Sequence, residues 1–149
     1  MTRAFASLLL LVTSLFALAC DGPFLLMSGG RLEGAAKPAP ADWSFAGEYG
    51  LCELETRPAD PYSVNIAYTV VDGVVYINAG DTETRWVKHM AEDPRVRLRV
   101  DGDIYELRAE RVTDRDEIAR FGRAWTAQGF YHRDPAKLDP VWVYRLTAR

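Results

Sequence analysis

The stretch Asn78-Ala79-Gly80-Asp81-Thr82-Glu83-Thr84-Arg85-Trp86-Val87-Lys88-His89-Met90-Ala91-Glu92-Asp93-Pro94-Arg95-Val96 lies between two runs that each read as a β-hairpin. Upstream, Val70-Val71-Asp72-Gly73-Val74-Val75 sets Asp-Gly between apolar runs. A two-residue primed turn takes positive φ at both central residues, which Asp and Gly tolerate best. That turn puts Thr69 opposite Tyr76, Tyr68 opposite Ile77 and Ala67 opposite Asn78, and the long apolar run predicts strands buried on both faces. Downstream, Arg95-Val96-Arg97-Leu98-Arg99-Val100 alternates with period two, and Asp101-Gly102 turns it back along Ile104 to Glu110. Leu98 then faces Tyr105, Val96 faces Leu107 and Arg97 faces Glu106, so apolar meets apolar and charge meets opposite charge. Between the hairpins, Asp81 or Thr82 is expected to cap a helix with Glu83 in its first turn. Trp86, Val87 and Met90 form its buried stripe. Asp93-Pro94 stops it, because the residue before proline is pushed out of the α region.

Working outward, Tyr49 to Thr56 reads as a first strand and Arg57-Pro58-Ala59-Asp60-Pro61 as a turn. A second helix is expected from Thr113 or Asp114, with Ile118, Phe121, Ala124 and Trp125 on one face, ending near Gln128-Gly129. Val141 to Leu146 supplies a last strand. The order β-β-β-α-β-β-α-β describes an α+β domain, most economically a small antiparallel barrel with two helices. With 149 residues, 48% of them apolar, the chain can bury one substantial core, and residues 43–149 are expected to be that single domain.

The N-terminus is read apart. Arg3 is followed by an apolar run through Leu8-Leu9-Leu10-Leu11-Val12 to Ala19, too short and too poorly flanked for a spanning helix. Its end, Leu15-Phe16-Ala17-Leu18-Ala19-Cys20-Asp21, resembles the bacterial lipoprotein cleavage box. Residues 1–19 are then a signal peptide, Cys20 is the lipidation site, and Asp21 favours the outer face of the cytoplasmic membrane. The alternative is an ordinary signal peptide with a chance cysteine. Residues 20–42, rich in Gly, Ala and Pro, read as a lipid-anchored tether. Within it Phe24-Leu25-Leu26-Met27 either docks on the domain or lies in the lipid interface; docking is the expectation.

A net charge of −3 gives no basic surplus for nucleic acid. His89, His132 and Cys52 are too scattered for a metal site, and Cys52 reads as a small buried hydrophobe. There is no nucleophile elbow and no Walker or Rossmann glycine pattern. Catalytic residues are therefore not assignable from motifs. Arg95, Arg97 and Arg99 share a strand face, either as a clamp for an anion or as a solvated ladder paired with carboxylates. Around the first helix, Gly80 permits close approach, free amides and the helix dipole favour an anion, and Thr82, Thr84 and Arg85 add hydroxyls and a cation. These residues form a phosphate cradle or a plain helix cap.

Val64 to Val100 resembles the flavin-binding split-barrel superfamily, which includes pyridoxamine-phosphate-oxidase-like proteins and deazaflavin-dependent nitroreductases. The resemblance is carried by Val70-Val71-Asp72-Gly73-Val74-Val75-Tyr76-Ile77-Asn78, by Thr84-Arg85-Trp86-Val87-Lys88-His89-Met90 and by Glu92-Asp93-Pro94-Arg95-Val96-Arg97-Leu98. It implies a small antiparallel split β-barrel with two helices, FMN or a deazaflavin as cofactor, and a homodimer. Asn78, Gly80, Thr82, Thr84, Arg85 and Trp86 would be the cofactor-binding residues. Oxidase-like members carry Ser-Arg-Lys where this chain has Thr84-Arg85-Trp86, and the deazaflavin branch has tryptophan at the position of Trp86. The basic loop of the deazaflavin enzymes corresponds to Arg57 to Tyr62, which keeps one arginine, and an oxidase-like arginine falls near the uncharged Asn65. Two functions follow: a flavin or deazaflavin oxidoreductase, or a non-catalytic module binding a small molecule or protein.

Overall fold

The sheet closes on itself through six strands. A computed structural model describes residues 22–80, 83–129, 131–140 and 142–149; Cys20, Asp81, Thr82 and Val141 lie outside the described residues. Strands β2 (Tyr49–Thr56), β3 (Tyr62–Val71), β4 (Val74–Ala79), β5 (Arg95–Val100), β6 (Asp103–Arg111) and β7 (Trp142–Ala148) form a ring in the order β6-β5-β2-β3-β4-β7, closed by pairing of β6 with β7. Every pair in that ring is antiparallel. Helix α1 (Arg85–Glu92) joins β4 to β5, and α2 (Arg115–Ala127) joins β6 to β7. A two-residue strand, β1 (Ala36–Lys37), is added parallel to β6.

Both turns have the expected chemistry. Asp72 and Gly73 sit at φ 51° and 74°, Asp101 and Gly102 at 51° and 85°. The β5–β6 register pairs Val96 with Leu107, Arg97 with Glu106 and Leu98 with Tyr105, as read from the sequence. In the first hairpin Tyr68 faces Ile77 and Thr69 faces Tyr76. The expected pairing of Ala67 with Asn78 does not form: Asn78 pairs with Val143 on β7 instead. Beyond Tyr68 and Ile77 the two strands part, because β4 continues along β7 while β3 continues along β2. That divergence is the split in the barrel wall.

The core follows the pleat. Val75 and Ile77 of β4 point into the barrel with Leu54, Val96, Leu98 and Leu107, while Tyr76, between them, joins a separate cluster with Phe121, Ile118 and Val143 beneath α2. Strand β4 is thus buried on both faces, and its near-continuous apolar sequence has that cause. Helix α2 is capped by Asp114, whose side chain accepts from Glu117 N–H, one of the two starts expected. Helix α1 starts later than expected. Its N-cap is Thr84, and Glu83 lies before the cap, paired with Lys88 at 2.7 Å. Residues able to cap stand at 81, 82 and 84, so composition cannot choose among them. The helix begins where the buried stripe Trp86, Val87, Met90 needs it. It ends at Asp93, whose carboxylate accepts from the Arg95 guanidinium and backbone N–H and is held by those bonds at a pKa of about 2.

The segment read as a tether lies on the barrel over its described part, residues 22–42. β1 takes the stretch of the β6 edge, Ile104 and Tyr105, that β7 leaves unpaired. Leu32 is 1% exposed. Its N–H donates to Glu55 Oε2 at 2.7 Å, and its carbonyl accepts from Arg97 Nη1 at 2.8 Å. Arg97 also bonds Glu55 Oε2 (3.0 Å) and the Gly34 carbonyl (3.0 Å), while Arg99 bonds Glu53 and the Glu33 carbonyl. The guanidinium ladder is thus paired with carboxylates, as one of the two readings had it, although only Arg95 stays well exposed. Arg97 and Arg99 hold this strap, and Arg95 turns back to Asp93.

Candidate functional site

The split between β3 and β4 opens two clefts on the two sides of Ile66, and the sequence-predicted cofactor residues divide between them. Thr84, Arg85 and Trp86 share one, a groove of about 340 Å³ bounded by Tyr62, Val64, Asn65 and Ile66 on β3 and by Leu25, Leu26 and Met27 of the strap. Asn78 and Gly80 line the other, about 510 Å³, opposite Trp125, His132, Arg133 and Trp142. Both fall in the size range of small-molecule sites. Thr82 lies outside the described residues.

The groove is built by α1. As N-cap, Thr84 stands where the first helical amides point outward, and Arg85 follows at the first helical position, exposed to solvent. The positive end of the helix and a guanidinium thus face the same space, the combination that favours a phosphate. Trp86 is buried, 8% exposed, with its ring 6.5 Å from that of Tyr144. It forms part of the barrel core and the floor of the groove. Val64 and Ile66 supply an apolar wall beside it. The residues present therefore fit the phosphate and one apolar face of a flavin-type cofactor.

Asn65 is differently engaged. Its amide nitrogen donates to the carbonyls of Pro23 at 3.3 Å and Leu25 at 3.0 Å. Where the oxidase-like proteins place an arginine, this chain uses a neutral amide to hold its own strap. The strap was the main component of the groove that sequence reading missed. Its Gly, Ala and Pro content signals a linker, whereas the partners that hold it, Asn65, Glu55 and Arg97, are distant in the chain.

The second cleft has aromatic walls. His132 stacks on Trp125 with centroids 3.9 Å apart and planes 11° from parallel, and its Nδ1 lies 2.8 Å from the Trp125 carbonyl. Trp142 carries the Arg111 guanidinium 3.7 Å over its ring, and its buried Nε1 has no hydrogen-bond partner among the described residues. At Gly80 an added Cβ would meet nothing within 4 Å, so packing of the described residues does not require glycine there. Trp125 read as helix core and His132 as an isolated loop residue. Only the return of residues 131–138 over α2 brings them together.

Two further groups are structural. Cys52 is buried, donates weakly to the Ile66 carbonyl at 3.5 Å, and burial pushes its thiol up, away from thiolate reactivity. His89, one turn along α1 from Arg85, lies 3.0 Å from Thr56 Oγ1 and edge-on to Tyr62. Burial, reinforced by Arg57, lowers its pKa. Among the described residues no cluster of His, Cys, Asp and Glu could hold a metal ion.

No family model matches the sequence, and no curated protein matches it. Fourteen solved chains match in structure. A Listeria innocua protein named as a candidate pyridoxamine 5'-phosphate oxidase superposes with a TM-score of 0.54 at 15% identity, over 66% of this chain and 83% of its own. A conserved hypothetical protein from Mycobacterium tuberculosis gives 0.55 at 20% identity, over 79% and 86%. A protein named F420 reductase gives 0.52 at 16% identity, over 74% and 96%. Such identities speak to architecture alone: the chain shares the fold of these proteins, a small α+β split barrel.

Proposed function

We propose that this protein binds a phosphate-bearing flavin or deazaflavin in the groove beside α1 and serves as an oxidoreductase. The observation that carries this is the convergence of Thr84, Arg85 and the positive end of α1 on a groove with an apolar wall. When bound, such a cofactor supplies hydride transfer, and the protein supplies binding and orientation. Arg85 and the helix amides hold the phosphate, while Val64, Ile66 and Trp86 exclude water from one face of the ring system. Purified protein should retain flavin absorbance through gel filtration, or quench the fluorescence of added FMN or F420. Colourless protein that quenches neither rejects the proposal.

One observation favours the second function, a non-catalytic binding module. Leu25, Leu26 and Met27 wall the groove, and both donors of the Asn65 amide are engaged by the strap. The same cleft would then receive a smaller ligand without phosphate.

We also infer that Cys20 bears lipid and holds the domain at the outer face of a bacterial cytoplasmic membrane. The sequence Ala17-Leu18-Ala19-Cys20-Asp21 supports this. Mass spectrometry should find an acylated N-terminal Cys20; a mature N-terminus without acyl chains would count against it.

A further inference from the structure

Phe24, Leu25, Leu26 and Met27 are 61%, 73%, 103% and 63% exposed. The expectation that this tetrapeptide docks on the domain is met by its backbone and by the edge that Leu25, Leu26 and Met27 give to the groove, while most of their side-chain surface stays exposed. Phe24 and Met27 exchange two backbone hydrogen bonds, of 3.1 and 2.8 Å, which closes a tight turn with Leu25 in the left-handed region at φ 51°. Asn65 holds the carbonyls before and within that turn, Pro23 is buried, and Gly29 bridges to Ser63. Four consecutive large apolar side chains are thus carried outward on a turn fastened at both ends. Scattered exposed apolar residues are ordinary, but a contiguous apolar projection signals a partner.

We propose that this turn is a membrane-inserting tip, whose leucines, phenylalanine and methionine enter the acyl boundary of a lipid bilayer while the barrel stays in water. The chain order identifies the occupant. Phe24 lies four positions after Cys20, a reach of at most ~14 Å, so a lipid on Cys20 would hold the turn within that distance of the bilayer. This rests on the inference that Cys20 is anchored in lipid, and it assigns the tip a contribution of its own. The acyl chains on Cys20 would hold the turn at the bilayer surface, where burial of its own apolar side chains adds to the attachment. The net charge of −3 favours a zwitterionic surface over an anionic one.

The test uses the mature chain, beginning at residue 20 and carrying Cys20→Ser, so that insertion is read without signal peptide or lipid. Leu26→Cys then offers an accessible thiol, since Cys52 is buried, and a nitroxide placed there is compared with one at Arg31→Cys further along the strap. With phosphatidylcholine vesicles, the label at 26 should gain collision with oxygen and lose collision with an aqueous nickel chelate, while the label at 31 stays open to the chelate. Leu25→Asp with Leu26→Asp should weaken vesicle partitioning at least tenfold without changing the far-ultraviolet circular dichroism. A label at 26 as accessible to the chelate with vesicles as without overturns the proposal. So does equal burial at 26 and 31. An oligomer in gel filtration that Leu26→Asp disperses would make the tip a protein contact instead. Acylation of Cys20 is read separately by mass, so failure of that inference and failure of the tip are distinguishable.

Discussion

At Gly102 the φ of 85° is set by the turn alone, for a Cβ there would touch nothing within 4 Å. Gly102→Val should therefore lower stability by backbone strain only, about 1–3 kcal/mol, measured as a fall in the urea midpoint. An unchanged midpoint would mean that the turn is of another type. Gly122 is the opposite case: its φ is ordinary, but a Cβ would stand 2.5 Å from Asp134 Oδ1, so Gly122→Ala must turn that carboxylate aside and weaken its acceptance from Ala136 N–H. His89 gives a pH signature. Its folded-state pKa is lowered by burial and by Arg57 and Arg85, with Glu92 and Asp60 opposing. The unfolded chain therefore takes up the proton more readily as pH falls through the ordinary imidazole value of about 6.5. Stability should be fully present above that value and decline below it. His89→Gln should flatten the slope of the urea midpoint between pH 7.5 and 5.5. An equal slope in the variant would assign it to other groups.

The strap shows what sequence patterning can and cannot reach at the level of elements. The hairpin registers were legible because each is set by a two-residue turn and by side chains meeting locally. The start of α1 was not, since three residues could cap it and only burial of Trp86 decides. The strap was least legible, because its one deeply buried apolar residue, Leu32, is held by the Glu55–Arg97 pair, 23 and 65 residues away. Glu55 is 2% exposed. Glu55→Ala would leave Arg97 with carbonyl partners alone and should cost about 3–5 kcal/mol, as breaking one half of a buried pair does. Trypsin should also cut faster at Arg31. Glu55→Gln, which keeps an acceptor for the Leu32 amide, should cost less. Unaltered stability and cleavage in Glu55→Ala would show that the strap is held by β1 and Leu32 packing instead.

For the molecule as a whole, closure of β6 on β7 makes a barrel with no long open edge, and the parting of β3 from β4 makes the only break in its wall that carries candidate ligand residues among those described. The sequence reading placed Thr84 and Arg85 in the first turns of a helix begun at Asp81 or Thr82, and in the structure they are its N-cap and first residue. It did not show that Asn78 and Gly80 would face a second cleft, because the split falls at Tyr68 and Ile77, in the middle of a hairpin whose pattern continues past it. Nor did it show that the groove beside Arg85 has a wall made by the strap. The central claim is that this groove holds the phosphate of a flavin-type cofactor. It is tested most directly by titrating FMN and riboflavin against wild type and Arg85→Ala. The substitution should weaken FMN by about 1.5–3 kcal/mol, roughly tenfold to a hundredfold, leave riboflavin nearly unaffected, and change thermal stability little, since the exposed Arg85 at a helix N-terminus opposes the dipole. Equal losses for the two ligands, or no binding of either by wild type, would contradict the claim.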